Sequence, residues 1–196
     1  MRRRLFASLF GLISVFVLAG PALADTTPNY RDSGTSEYVS GYAFECGQST
    51  CTDTFVYGAN IDLQTGEDYS YICVDQFTYP IRGGGRFLSL SGCADTGIDV
   101  ASDLSSASAD ATILADSCGR QSCSTEEITV SLSLTAVGDP IAYSYTNRNK
   151  FGNCVDTYRV RGSAADAEGT LDVNGSSLAA YGQIGSESFA FSSRCR

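Results

Sequence analysis

The sequence predicts an all-β protein, an antiparallel two-sheet β-sandwich stabilised by disulfides, with a β-barrel as the alternative. Three observations support this prediction. Apolar and polar residues alternate with a period of two, glycine-containing turns separate the alternating segments, and the cysteines are even in number. The segment Ala101 to Ala109 is rich in alanine and serine, but it lacks the apolar stripe of a helix.

The clearest strand is the segment 128–136. Apolar residues from Ile128 to Leu134 alternate there with threonine and serine, which is typical of a half-buried antiparallel strand. The same alternation predicts further strands at 38–44, 69–73, 77–81, 87–90, 107–115, 141–145, 155–160, 170–173, 177–184 and 188–192.

Turn residues separate these segments. Asn174-Gly175 lies between two alternating segments and is the strongest hairpin signal in the chain. The run 83–85 consists of three glycines, which permit positive φ angles between two aromatic-rich strands. Gly138-Asp139-Pro140 marks another break.

Residues 1–24 predict a cleavable secretory signal peptide. Three arginines at positions 2–4 precede an apolar run from Leu5 to Leu18, and Ala22 and Ala24 provide the small residues of a cleavage site before Asp25. A membrane span needs about 20 apolar residues, more than this run offers. We therefore expect a secreted, extracellular protein with no membrane span in the mature chain.

The remaining chain predicts one domain. A polar lead at 25–36 precedes a single β-sandwich domain at 37–196, because no proline-rich or serine-rich linker divides it. A weak internal duplication is the alternative organisation. Residues 46–52 resemble 118–124, and residues 73–77 resemble 154–158, in the same order.

The eight cysteines predict four disulfides. An exported chain meets an oxidising compartment, where an even set of thiols pairs. Sequence alone leaves 105 connectivities open. The C-x4-C spacing favours Cys46 with Cys51 and Cys118 with Cys123. Of the remaining cysteines, we then pair Cys73 with Cys93 and Cys154 with Cys195. A four-thiolate zinc site is the alternative, which export and the absence of histidine disfavour.

The charge balance excludes two classes of partner. Loss of the first 24 residues leaves 10 basic and 22 acidic side chains, a formal charge of −12. Nucleic acid and anionic lipid both require a basic surface, so neither is an expected partner. Carbohydrate and protein are the partner classes that the charge balance does not exclude.

The absence of histidine removes the Ser-His-Asp and Cys-His nucleophile systems. The single lysine, Lys150, lies in a polar segment, where no apolar surroundings would lower its pKa. Paired carboxylates could still hydrolyse glycosides, with Glu45, Asp75 and Asp156 as candidates beside predicted strands. No catalytic residue is assigned on this basis.

No metal ion or cofactor is expected. Asp95, Asp99 and Asp103 recur every four residues, but they lack the spacing of a calcium loop and indicate a solvated acidic loop. Asn174-Gly175-Ser176 matches a glycosylation sequon, although a hairpin turn explains it better.

Tyrosines are concentrated in the first half of the chain. They can fill the margins of a small β core, or they can form a face that binds sugars or peptides. The six residues concerned are Tyr38, Tyr42, Tyr57, Tyr69, Tyr71 and Tyr79.

The sequence therefore favours an exported, non-catalytic protein with a binding or structural role at the cell surface or in the medium. A secreted hydrolase using paired carboxylates is the alternative from another class. A secreted enzyme inhibitor with disulfide-rigid loops is the third.

Intact mass spectrometry of the secreted protein tests the export and disulfide predictions together. We expect a mature chain that begins at Asp25 and gains two hydrogens per disulfide when it is reduced. A different N-terminus, or thiols that alkylate without reduction, would contradict them.

Overall fold

A computed structural model describes residues 30–82, 88–119 and 121–195, which form ten β-strands and no helix. The predicted signal peptide and the glycine turn at 83–85 lie outside the described residues. The strands are β1 (Arg31–Cys46), β2 (Thr50–Leu63), β3 (Asp68–Pro80), β4 (Leu88–Ala94), β5 (Ile98–Val100), β6 (Ser106–Cys118), β7 (Cys123–Ala136), β8 (Ile141–Phe151), β9 (Cys154–Val173) and β10 (Ser176–Cys195).

All ten strands belong to one large antiparallel sheet, which confirms the all-β, antiparallel prediction. The strand order is β10-β1-β2-β3-β4-β6-β7-β9-β8, with β5 paired to β6. Strand β10 also pairs with β9. The pairings therefore run from β10 through seven other strands and return to β10.

Strands β7 and β8 share one edge of β9. Residues 130–136 of β7 pair with 167–173, whereas residues 141–151 of β8 pair with 154–164. The break between them contains the predicted Gly138-Asp139-Pro140 turn, in which Gly138 has φ 102°. Strand β8 pairs with β9 alone, so its other edge is unpaired among the described strands.

Several strands are longer than the alternation predicts. The segments 69–73 and 77–81 both fall in β3, apart from Ile81, and 155–160 and 170–173 are both parts of β9. Strand β2 is not among the predicted strands, although Phe55, Tyr57 and Ala59 alternate along it. Strand β1 begins at Arg31, inside the expected polar lead, because β10 and β2 pair with it on both sides.

The main core lies on one face of the sheet. Its members are aliphatic side chains from every strand except β8, together with Leu104 between β5 and β6, and each exposes 7% or less of its surface. The largest fully buried members are Ile72, Ile113, Ile128, Leu132, Leu134, Leu171 and Ile184. Burial of such side chains is worth about 1.5 to 3 kcal/mol each, so the core is the main stabilising feature.

All eight cysteines form disulfides, in the pairing expected from the sequence. Each bond joins two residues that are directly opposite on neighbouring strands. Cα–Cα distances of 3.9 to 4.1 Å are typical of close antiparallel pairs rather than of distant loops. The bonds therefore fix strand register as well as chain connectivity.

The disulfides repeat in the same pattern along the sheet. In the first half they join β1 to β2 and β3 to β4, and in the second half they join β6 to β7 and β9 to β10. Because the strand order is β1-β2-β3-β4 in one half and β6-β7-β9-β10 in the other, the bonded strands occupy equivalent places.

Removal of an individual disulfide should destabilise the fold more when the loop that it closes is longer. In the loop-closure description, Cys154–Cys195 contributes about 4 kcal/mol and Cys46–Cys51 about 2 kcal/mol, because the first closes a much longer loop. We expect the double serine variant of Cys154 and Cys195 to unfold at lower denaturant than that of Cys46 and Cys51. Equal midpoints would contradict this explanation.

Candidate functional site

The six tyrosines named above share one face of β1, β2 and β3, opposite the main core. Tyr38 lies across from Ala59, which lies across from Tyr71, and Tyr42 is directly opposite Phe55. Directly opposed residues point to the same side of a sheet. We call this surface the tyrosine face: Tyr38, Tyr42, Phe44, Asp53, Phe55, Tyr57, Tyr69, Tyr71, Asp75, Phe77 and Tyr79.

The rings of the tyrosine face pack against one another without becoming buried. The ring centroids of Tyr42 and Phe55 are 4.8 Å apart, and those of Tyr57 and Tyr71 meet edge to face at 6.4 Å. Most of the rings are half-buried, and Phe44 and Tyr69 are about half exposed, at 51% and 50%. These pairs stabilise the sheet, and they also leave apolar ring surface in contact with solvent.

Two carboxylates lie among these rings. Asp53 is directly opposite Phe77 and Asp75 is directly opposite Phe55, so the two acids are diagonal neighbours on β2 and β3. Diagonal neighbours have Cα atoms about 7 to 8 Å apart. The Tyr42 hydroxyl donates a 2.6 Å hydrogen bond to Asp53 Oδ1.

Burial raises the pKa values of Asp75 and Tyr42. Desolvation raises the pKa of the Asp75 carboxyl above its ordinary value. Desolvation also raises the pKa of Tyr42, and the hydrogen bond and negative charge of Asp53 raise it further. Tyr42 therefore remains a hydrogen-bond donor at neutral pH.

A second cluster surrounds Glu187 where β8, β9, β10 and β1 pair. Glu187 is only 6% exposed and is directly opposite Gly162 and Ser36. The Tyr143 hydroxyl donates a 2.9 Å hydrogen bond to Glu187 Oε2, and it lies 3.4 Å from the Tyr38 hydroxyl. Since Tyr143 has one proton to donate, Tyr38 donates to Tyr143, and the chain of hydroxyls ends on the carboxylate.

Two glycines make room for this cluster. A Cβ atom at Gly185 would overlap the Tyr38 ring. A Cβ atom at Gly162 would lie 2.9 Å from the Tyr143 hydroxyl oxygen and 2.8 Å from Glu187 Cβ. Glycine at these positions therefore allows both tyrosine rings to lie flat over the sheet next to the carboxylate.

The cluster contains a buried acid without a cation. Within the part of the chain that the structure describes, no arginine or lysine pairs with Glu187, and its titratable neighbours are Tyr38, Tyr143, Tyr145 and Tyr158. Desolvation raises the pKa of Glu187, and the Tyr143 hydrogen bond offsets only part of that rise. Desolvation likewise raises the pKa of Tyr143 and of Tyr158.

The structure separates the three carboxylates considered from sequence. Asp75 lies in the tyrosine face, whereas Glu45 is an exposed residue whose neighbour Phe44 belongs to that face, so Glu45 points to the other side. Asp156 lies on β9, opposite Asn149 and Ser193. The acid that lies next to Asp75 is Asp53. The sequence feature that could have identified it is the alternation of Asp53, Phe55 and Tyr57 along β2.

Metal binding has no support in the described ranges 30–82, 88–119 and 121–195. No three histidine, cysteine or carboxylate side chains in them are grouped to hold a metal ion. The cysteines are all in disulfides, which removes the thiolates of the alternative zinc site. Asp103 instead accepts a 3.0 Å hydrogen bond from the Ser105 amide, and hydrogen bonds from Ser105 lower the pKa of Asp103.

The sequon is part of a hairpin turn, as expected. Asn174 and Gly175 have φ angles of 53° and 79° and connect β9 directly to β10. The Asn174 Oδ1 atom accepts a 2.9 Å hydrogen bond from the Thr129 amide. This contact holds the turn against β7.

Two shallow depressions lie away from the tyrosine face. One, of about 350 Å³, is lined by Asp110, Thr112, Thr129, Ser131 and Asp172 on the outer side of β6, β7 and β9. The other, of about 450 Å³, lies beside Arg31 and Arg194. Neither depression is lined by a residue of the tyrosine face.

Comparisons with known proteins leave the chain without an assigned family. No family model, curated protein or solved structure matches it. Among the described residues there is no helix of the length and apolarity needed to span a membrane.

Replacing Glu187 should reveal the cost of its buried charge. The pKa of Glu187 in the folded state is raised above the ordinary value of 4.5. The protonated carboxyl therefore contributes its full stabilisation below pH 4.5, and this stabilisation is lost as the pH rises through the folded-state pKa. We expect Glu187→Gln to raise the unfolding midpoint at neutral pH. The gain should vanish below pH 4.5, where wild-type Glu187 is protonated.

Glu168→Gln is the matched control for this measurement, since Glu168 lies on β9 and is exposed. Thermal unfolding of both variants across pH should show the pH-dependent gain for Glu187→Gln alone. A stability loss at neutral pH for Glu187→Gln would contradict an uncompensated buried carboxylate.

Proposed function

We propose that the chain is an exported, non-catalytic binding protein and that its tyrosine face binds carbohydrate. The observation that carries this proposal is the continuous layer of half-exposed rings with two carboxylates among them. Aromatic rings stack on the apolar faces of sugars, and carboxylates accept hydrogen bonds from sugar hydroxyls. An open layer of rings that extends over three strands suits an extended chain of sugars better than a small enclosed ligand.

Export is supported by two independent features. The sequence begins with the basic, apolar and small-residue regions of a signal peptide. The four intramolecular disulfides are consistent with an oxidising extracellular environment. Rigid cross-strand bonds also suit a protein that works without chaperones outside the cell.

We infer that the sheet is closed on itself as a barrel, rather than divided into two sheets. The support is the cycle of pairings from β10 through β1, β2, β3, β4, β6, β7 and β9 back to β10. Closure of this kind removes the unpaired edges of eight strands. The equivalent disulfides of the two halves also favour an internal duplication of one four-strand unit.

A secreted hydrolase remains the second candidate because of Asp53 and Asp75. As diagonal neighbours on β2 and β3, they place two carboxyl groups on the same face of the sheet, and paired carboxyl groups are what glycoside hydrolysis requires. The raised pKa of Asp75 suits a general acid, and Asp53 would be the base. Against this candidate, the two acids lie on an open sheet face, where water is not excluded.

Substitution in the tyrosine face tests the binding proposal. A glycan array should identify a ligand for the wild-type protein, and Tyr42→Ala should lower the affinity for it about tenfold because a stacking surface is lost. Phe151→Ala is the control, since Phe151 is 66% exposed but lies outside the tyrosine face. No binding on the array, or equal loss in both variants, would contradict the proposal.

Hydrolysis assays on a panel of polysaccharides separate the two candidates. A non-catalytic protein releases no reducing ends from any substrate. If hydrolysis is seen and both Asp75→Asn and Asp53→Asn abolish it, the hydrolase is correct and the non-catalytic proposal is wrong.

A further inference from the structure

Most of the described basic residues of this acidic protein lie on one surface. Seven arginine or lysine residues fall within the described part of the chain, and six of them occur on four adjacent strands, β8, β9, β10 and β1. We call this surface the basic face: Arg31, Arg148, Lys150, Arg159, Arg161 and Arg194. The seventh, Arg82, follows β3.

Strand register places all six on the same side of the sheet. Arg148, Thr157, Ser192 and Arg31 form one row of directly opposed residues across the four strands. Lys150, Val155 and Arg194 form a neighbouring row. Rows on one face are about 7 Å apart along the strands, and the strands are about 4.8 Å apart.

Arg159 and Arg161 complete the face. Each occupies its own row, opposite Thr146 and Ala190 for Arg159 and opposite Ser144 and Ser188 for Arg161. The alternate residues of β9, Tyr158 and Val160, point to the opposite side. The sheet thus carries aromatic rings and Glu187 on one side and cations on the other.

The cations of the basic face are free to bind an anion. All six side chains are exposed, and none forms an ion pair with another described residue. Hydroxyl side chains separate them, and the depression of about 450 Å³ lies between Arg31 and Arg194. Glu37 is the acid of β1 on this side, next to Ser186 of β10.

We propose that the basic face binds an acidic polysaccharide whose charges are carboxylates. Arginine presents a planar fork that matches a carboxylate, and the intervening serines and threonines can bond to sugar hydroxyls. The rows of directly opposed residues that form the face contain no aromatic ring for stacking nucleic acid bases and no large apolar side chain to enter a bilayer.

The test measures binding of the full mature chain to polygalacturonate, with neutral dextran as the comparison polymer. We expect binding to polygalacturonate alone, weakening as salt is raised. Arg159→Ser with Arg161→Ser should lower the affinity at least about tenfold, because two charge-assisted contacts are lost. The control Arg82→Ser should bind like the wild type.

Two further measurements distinguish this proposal from the others. Polygalacturonate binding reports on the basic face and the neutral glycans of the array report on the tyrosine face, so that failure of the tyrosine face and failure of the basic face are separable. Arg159→Lys with Arg161→Lys keeps the charges and should recover part of the affinity. The proposal would be overturned if the protein did not bind polygalacturonate, or if the double serine substitution left the affinity unchanged. Equal affinity for single-stranded DNA or anionic vesicles would also overturn it.

Discussion

The register of the β9–β10 hairpin is the constraint on which the rest of the structure depends. Its 20 residue pairs are fixed at one end by the Asn174-Gly175 turn and at the other by the Cys154–Cys195 disulfide. A slip of one residue would transfer every side chain to the other face. Glu187 would then lie on the opposite side of the sheet from its tyrosine neighbours, and the cations of β9 would lie on the side that the aromatic rings now occupy.

The two ends of the β9–β10 hairpin lie in different environments. Near the turn, β9 pairs with β7, and Leu171 and Ile184 enter the main core. Near the disulfide, β9 pairs with β8, and the sheet has Tyr143 and Glu187 on one side and Arg159 on the other. Alternation along one backbone therefore keeps a buried acid apart from exposed cations, although they are close in sequence.

Local patterns predict most strands, the hairpin turn and the two C-x4-C disulfides, because each depends on neighbouring residues or short loops. The full length of β9 could not be predicted from local patterns, because its middle contains Arg161, Gly162 and Ser163 and has no apolar face of its own. The candidate sites depend on register between strands distant in sequence. Asp53 lies beside Asp75 because β2 pairs with β3, and Glu187 lies beside Tyr143 because β8 and β10 both pair with β9.

Nuclear Overhauser contacts between Hα protons across the hairpin test this register most directly. The short Cα–Cα distance of 3.9 Å at Cys154–Cys195 marks a close pair, and every second pair along the hairpin is close as well. The account predicts strong Hα–Hα contacts between Tyr158 and Phe191 and between Gly162 and Glu187. Contacts of Gly162 with Ser186 or Ser188 in their place would show a shifted register and would contradict both faces.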